Sequence, residues 1–290
     1  MTNRYTNEEW TQIIEQTKQD LVVSPEPYLC PEIGSAAFMK TIDHTLLKLD
    51  IKAVQIDELC AEARVDRFGA VCVRAKDVQK CAADLRGSDV EVACVVGFHE
   101  GTHDLYYKLK EARKAIRAGA TELDVVINYP ELKAGEYESI YTELSTLRIQ
   151  AQHPVLLKLI LETSQLDSYE IIAGCVMAAA AGFDFVKTST GFNGPGATTE
   201  NVRLMVACCE KLAAGNPNGK QMKVKASGGI KTLQDAVKML EAGASRLGTS
   251  GGVWIAKEAR EHVAQNGSLS PPAHNQSRRP SLQTRLFTSY

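Results

Sequence analysis

Residues 90–128 read VEVACVVGFHEGTHDLYYKLKEARKAIRAGATELDVVIN. VEVACVVGF (90–98) and ELDVVIN (122–128) are short and nearly continuous in apolar character, as expected of strands covered on both faces. Between them HDLYYKLKEARKAIRAG (103–119) has helical spacing and stops at Gly119, the usual residue just past a helix end. The unit is strand, helix, strand.

The same alternation runs outward in both directions. Further strand-like runs are TIDHTLL (41–47), AVCVR (70–74), VLLKLILE (155–162), FDFVKTS (183–189), MKVKASG (222–228) and SRLGTS (245–250). Helical patterns lie between them, including SYEIIAGCVMAAAAG (168–182), and several end on Gly followed by another residue to be packed, as in RAGA, AAGF and EAGA. Eight strands, seven intervening helices and one after the last predict a (β/α)8 TIM barrel over 36–262, near the typical length of about 250 residues. An open doubly wound sheet is the alternative, weakened because no GxGxxG follows the first strand. Before the barrel, residues 1–35 carry a helix over Glu8–Gln19 and a Pro-rich connection, SPEPYLCPEIG (24–34). Residues 263–290 are polar, Pro/Ser-rich and basic, and read as a flexible tail.

The 290 residues are 44% hydrophobic and 23% charged, with formal net charge −2. That balance gives no reason to expect nucleic acid or a membrane surface as partner. No run approaches the ~18 apolar residues of a bilayer span, and MTNRYTNEEWTQIIEQ has no signal-peptide core. Eight cysteines sit mostly in apolar runs with no CxxC pair. Free thiols in a reducing, cytoplasmic compartment fit best. Oligomeric state is not readable, although exposed barrel helices leave a homodimer open.

In a barrel of this class, active sites form at the C-terminal ends of the strands. The polar residues there are Asp43, His44 and Thr45 on strand 1; Asp124 and Asn128 on strand 4; Lys158 and Glu162 on strand 5; Lys187, Thr188, Ser189 and Thr190 on strand 6; Lys225, Ser227, Gly228 and Gly229 on strand 7; and Gly248, Thr249, Ser250 and Gly251 on strand 8. Lys158, Lys187 and Lys225 interrupt apolar runs on three consecutive strands. Adjacent strands lie about 4.8 Å apart, and two ammonium groups that close repel by roughly 4 kcal/mol at an effective dielectric of 20. Such repulsion is expected to lower one lysine pKa by up to about 3 units, leaving a nucleophilic amine fit for Schiff-base chemistry. Any one lysine could instead pair with a carboxylate, Asp43, Asp124 or Glu162; three at equivalent places favour the reactive reading. Which of them attacks does not follow from the pattern.

Glycine supplies a second signal. ASGGIKT (226–232) and LGTSGG (247–252) each follow a strand and open a helix. Loops after strands 7 and 8 with a helix N-terminus form the common barrel phosphate site. The two signals together suggest a Schiff-base enzyme acting on a phosphorylated carbonyl compound.

At this point the chain closely resembles the deoxyribose-phosphate aldolases, class I aldolases. The matching stretches are IDHTLL (42–47), AVCV (70–73), GATELDVVIN (119–128), LLKLILET (156–163), GFDFVKTSTGF (182–192), VKASGGI (224–230) and RLGTSGG (246–252), in the family's order. The resemblance implies reversible cleavage of 2-deoxy-D-ribose 5-phosphate to D-glyceraldehyde 3-phosphate and acetaldehyde, without metal or cofactor. It implies that Lys187 forms the Schiff base, that Lys225 lowers its pKa, and that Asp124 relays protons, supported by Lys158 and Asp43. Thr190, Gly191, Gly228, Gly229, Gly248 and Ser250 fall where the family holds phosphate. Tyr290 stands where some members end in a tyrosine that assists proton transfer; a disordered end is the alternative. Another lysine-dependent barrel aldolase or transaldolase, or a sugar-phosphate-binding barrel without turnover, are the competing readings; the intact Lys187, Lys225 and Asp124 weigh against the last.

The chain also departs from the family. After AVCV it has Arg74 and Ala75 where the family has a short polar residue and proline, and after Gly97 and Phe98 it has His99 where the family has proline. HEGTH (99–103) matches the zinc-protease pattern literally, but that motif needs a helix interior and Gly101 is a poor helix residue. His44 is expected to hydrogen-bond locally at the barrel mouth. Cys72 is expected to be buried filler, although a mouth-facing thiol would meet aldehyde products.

Overall fold

Eight parallel strands close on themselves in the order of the chain, in a computed structural model that describes residues 5–215 and 221–267. The strands are β1 (Ile42–Thr45), β2 (Ala70–Val73), β3 (Glu91–Val96), β4 (Glu122–Val126), β5 (Leu156–Ile160), β6 (Phe185–Lys187), β7 (Lys223–Ser227) and β8 (Arg246–Thr249). The helices are α1 (Asn7–Gln19), α2 (Ala36–Met39), α3 (Ala53–Asp66), α4 (Val78–Asp84), α5 (Leu105–Arg117), α6 (Tyr129–Lys133), α7 (Tyr137–Gln150), α8 (Ser168–Ala180), α9 (Thr199–Ala214), α10 (Leu233–Glu241) and α11 (Gly252–Gly267). All eight expected strands are present, and β8 pairs with β1 to seal the barrel. The last helix continues to Gly267, so residues 263–267 are helical rather than part of a tail. Tyr290 lies outside the described residues.

Local chemistry explains the punctuation. Asp104 caps α5 by accepting from the Tyr107 N–H at 2.7 Å, and Thr232 with Asp235 forms a capping box on α10. Gly119, Gly182 and Gly243 sit just past α5, α8 and α10 with φ of 106°, 76° and 101°, a conformation costly for a residue with a Cβ. Because α5 starts at Leu105, His99 and His103 precede it and do not share a helix face. His99 stacks on Phe192, and His103 on Tyr107.

The apolar core is a ring outside the barrel, not a plug inside it. Val71, Val73, Val125, Leu157, Leu159, Val186, Val224 and Leu247 face outward and pack under the helices. Strand residues alternate between faces, so the residues between them face the lumen. Most barrels fill the lumen with bulky branched side chains. Here one side holds only Ala70, Cys72, Ala93 and Val95, capped by Leu47 and Phe98, and the other side interleaves Val126, Ile160 and Phe185 with charged residues. His44 faces outward on β1, where its Nε2 lies 2.7 Å from Glu62 on α3. It is therefore not at the barrel mouth, because Asp43 takes the inward position.

The N-terminal segment is built into the outer layer. The α1 helix packs against α7 and α8, and Trp10 is buried with its ring 5.1 Å from that of Tyr141. The Pro-rich connection is tied down by Arg203, which donates to the Ser24 and Glu26 carbonyls at 2.9 and 2.8 Å. Among the described residues no helix is long and apolar enough to cross a membrane. Trp10→Ala should lower unfolding free energy by about 3–5 kcal/mol, read as a lower urea midpoint. An unchanged midpoint would mean that α1 is an appendage.

Candidate active site

Five strands deliver three carboxylates and three lysines to one buried cluster. Asp124 on β4 is at its centre. Its Oδ1 accepts from Lys158 Nζ at 2.7 Å, and its Oδ2 accepts from both Lys187 Nζ and Lys225 Nζ at 2.8 Å. Lys158 also donates to Glu122 Oε2 at 2.5 Å. Lys225 also donates to Asp43. Arg246 Nε donates to Asp43 Oδ1 at 2.7 Å, and its Nη2 reaches Glu122 at 3.2 Å. Asp43, Asp124, Lys158 and Lys225 are all fully buried. The pairing follows from register: Asp124 lies beside Lys158, and Lys187 beside Lys225, on neighbouring strands.

This arrangement reverses the electrostatic expectation for two lysines. Mutual repulsion was to lower a lysine pKa, with Glu162 as one of the available carboxylates. Instead carboxylates interleave with the ammonium groups. Burial pulls Lys225 and Lys158 down, but Asp124, with Asp43 beside Lys225 and Glu122 beside Lys158, outweighs it and both are held above the ordinary lysine value. Burial likewise pushes Asp124 up, yet Lys158, Lys187 and Lys225 hold it well below the usual carboxylate range. Asp43 is lowered to about 2, burial being outweighed by Arg246 and Lys225. Glu162 makes no pair with a lysine; its carboxylate turns to Thr190. Cys72 also points inward, its Sγ 3.9 Å from Asp124 Oδ2, and burial and the adjacent carboxylate push its thiol up.

Geometry separates the lysines where sequence could not. Lys158 and Lys225 each have at least two carboxylate partners, whereas Lys187 has Asp124. Without the Lys187 charge, Asp124 is still held by the other two lysines. Lys187 is also the lumen lysine that lines an open cavity of about 310 Å³. That cavity lies over the loops after β6, β7, β8 and β1, and all six expected phosphate residues, Thr190, Gly191, Gly228, Gly229, Gly248 and Ser250, line it. Gly248 is required by packing: a Cβ there would lie 2.8 Å from Ser227 Cβ and 3.1 Å from Lys225 Cε. Gly228 has φ 84° and would clash with Gly196 across the loop if it carried a Cβ.

Several residues play other parts than expected. Thr188 Oγ1 donates to the Ser227 carbonyl at 3.0 Å and Thr249 Oγ1 to the Ile230 carbonyl at 2.6 Å, so both fasten loops. Asn128 caps α6. Glu122 and Arg246 were not singled out, although Glu122 shares a strand face with Asp124 two residues on, and Arg246 with Gly248. Lys48 and Lys231, exposed on the cavity rim, were also missed. Arg74, one of the departures, donates to the Leu47 carbonyl at 2.7 Å and sits 5.0 Å over the Phe98 ring.

Residues 37–259 match the DeoC/LacD family aldolase model. A Coccidioides immitis protein named deoxyribose-phosphate aldolase is 49% identical over 257 residues, 88% of this chain and 92% of that one. A Brevibacillus brevis protein of the same name is 45% identical over 221 residues, 76% of this chain and 96% of that one. Among solved structures, the Aeropyrum pernix deoxyribose phosphate aldolase, described as a unique tetramer, aligns with TM-score 0.71 at 29% identity over 87% of this chain and 99% of that one.

The cluster sets a pH signature. Its aspartates have folded pKa values below the unfolded value of about 3.9. Their pairing therefore stabilises the fold above about pH 4 and is lost as pH falls through the folded values, about 2 for Asp43. Lys158 and Lys225 are displaced upward, so their contribution is complete below about pH 10.4 and is lost only as pH rises beyond it. Urea midpoints should fall between pH 4 and 2, and Asp43→Asn should flatten that fall while lowering stability at pH 7. An Asp43→Asn profile parallel to wild type would refute the linkage.

Proposed function

The chain belongs to the DeoC/LacD family of aldolases, and from that premise we propose that it cleaves 2-deoxy-D-ribose 5-phosphate reversibly to D-glyceraldehyde 3-phosphate and acetaldehyde through a Schiff base on Lys187. One observation carries the choice of nucleophile: of the three lumen lysines, Lys187 alone lines the cavity walled by the glycine loops.

The substrate binds as its open-chain aldehyde, phosphate toward the loops after β7 and β8 and C1 toward Lys187. The neutral Lys187 amine adds to C1, giving a carbinolamine; loss of water leaves a protonated imine. A base then takes the proton of the C3 hydroxyl. The C2–C3 bond breaks, its electron pair moves toward the iminium nitrogen, and C3 becomes the carbonyl of glyceraldehyde 3-phosphate. The remaining enamine takes a proton at C2, and water hydrolyses the imine to acetaldehyde and free Lys187. Asp124 is the base by this account, acting through water, since it already contacts Lys187 at 2.8 Å. The three lysine charges around it keep it ionised, and the departure of the Lys187 charge when the neutral amine forms removes one of them. Lys225 and Lys158 balance the Asp124 charge while Lys187 is a neutral amine or an imine, and Asp43 holds Lys225 in place. Lys48 and Lys231 add positive potential for the phosphate dianion at the rim.

Incubation with acetaldehyde followed by borohydride should leave one reduced adduct, on Lys187, located by digestion and mass spectrometry. Lys187→Leu should abolish trapping and lower turnover by at least about 10⁴-fold, the scale on which a covalent nucleophile acts. An adduct on Lys158 or Lys225 would reassign the nucleophile; no adduct on folded protein would overturn the aldolase.

We also propose a cytosolic homodimer. All eight cysteines are free and seven are buried, which suits a reducing compartment. Large apolar side chains stand exposed on the outer helices, Trp254 on α11 and Val54 and Val65 on α3 among them. Sedimentation velocity should give twice the chain mass; a monomer or a tetramer would correct this.

A further inference from the structure

Glu162 lies immediately beyond β5, fully buried, with φ 59° and ψ 58°. A glutamate in the left-handed region is strained, and such strain persists only where surrounding contacts impose it. The contacts are specific. Thr190 N–H donates to Glu162 Oε1 at 3.1 Å, and the Thr190 hydroxyl donates to Oε2. The same hydroxyl oxygen accepts from the Phe192 N–H at 3.1 Å. One carboxylate thereby uses both oxygens on one residue and fixes the turn that carries Gly191, whose φ is 84°. Neighbours reinforce the clamp: Thr163 N–H donates to the Thr188 carbonyl at 2.8 Å, and Ser164 Oγ and Gln165 Nε2 both donate to the Asn193 carbonyl.

The Thr190 hydroxyl proton is therefore committed to Glu162 and turned away from a ligand. Gly191, with no side chain, lines the cavity beside it. We propose that Glu162 is a positioning residue for the phosphate cradle: by holding Thr190 through both oxygens it orients the 190–192 turn for an anion, without touching the anion or the reacting carbons. This rests on the reading of the cavity as the sugar-phosphate site.

The test is calorimetric titration with inorganic phosphate of wild type, Glu162→Ala, Glu162→Gln, Thr190→Val and the Ala/Val double variant, with acetaldehyde–borohydride trapping measured in parallel. Glu162→Ala and Thr190→Val should each weaken phosphate binding about tenfold, the size of one lost charge-assisted hydrogen bond. The double variant should be no weaker than the worse single, because both break one link. Glu162→Gln keeps an acceptor for the Thr190 N–H and should recover most of the affinity. In each variant the loss of phosphate affinity should exceed any loss of trapping rate by at least about fivefold. Should Glu162→Ala not fold, Thr190→Val and Glu162→Gln carry the comparison. Unchanged phosphate affinity in Thr190→Val, losses that run in step with trapping, or tighter binding in Glu162→Gln would each overturn the proposal, as would wild type that binds no phosphate. Wild type that binds phosphate but traps no acetaldehyde would instead overturn the aldolase, leaving the phosphate comparison to decide the role of Glu162.

Discussion

A single buried carboxylate organises this molecule. Asp124 is fully buried, where an uncompensated charge would cost several kcal/mol, and it holds Lys158, Lys187 and Lys225 around its two oxygens. Those lysines come from three other strands, so the pairing is satisfied only when the barrel is closed and in register. The interaction that secures the interior also fixes Lys187, the lumen lysine that borders the cavity. The main hydrophobic core lies outside the sheet, and the lumen is shared between a small apolar cluster and this ion network.

The cluster is uneven, and the unevenness matters. Lys158 and Lys225 are locked between carboxylates, while Lys187 has one partner and borders the cavity. An amine that changes charge during a reaction cannot be one on which the rest of the network depends. Polarity also runs across the mouth. The loops after β6, β7, β8 and β1 bring glycine backbone, Leu47 and the rim cations Lys48 and Lys231 to the cavity, while Cys72 and Val95 lie buried on the β2–β3 side of the lumen.

The loop chemistry serves the same end. Hydroxyls that look like substrate ligands in sequence mostly fasten one loop to the next: Thr188 to β7, Thr249 to the loop after β7, and Thr190 to Glu162. The cavity is thereby lined by glycine backbone in loops already fastened to one another.

Much of this was legible from residues alone. Apolar runs and post-helix glycines predicted eight strands, seven intervening helices and one after the last, because those signals are local: a strand's apolar run and a positive φ each depend on a few neighbours. Lys187, Lys225, Asp124 and the glycine loops could be singled out because they interrupt or terminate otherwise apolar strands. What only the tertiary structure decided was pairing. The sign of the effect on Lys158 and Lys225 depends on which charges meet across the barrel, and Glu122 and Arg246 join the cluster from strands 124 residues apart in sequence. Likewise Glu162, which sequence placed among the lysines, is turned away by its backbone to hold Thr190. Coulomb interactions depend on distance in space, and in a closed barrel that distance is set by register and by side-chain direction, neither of which any single strand contains.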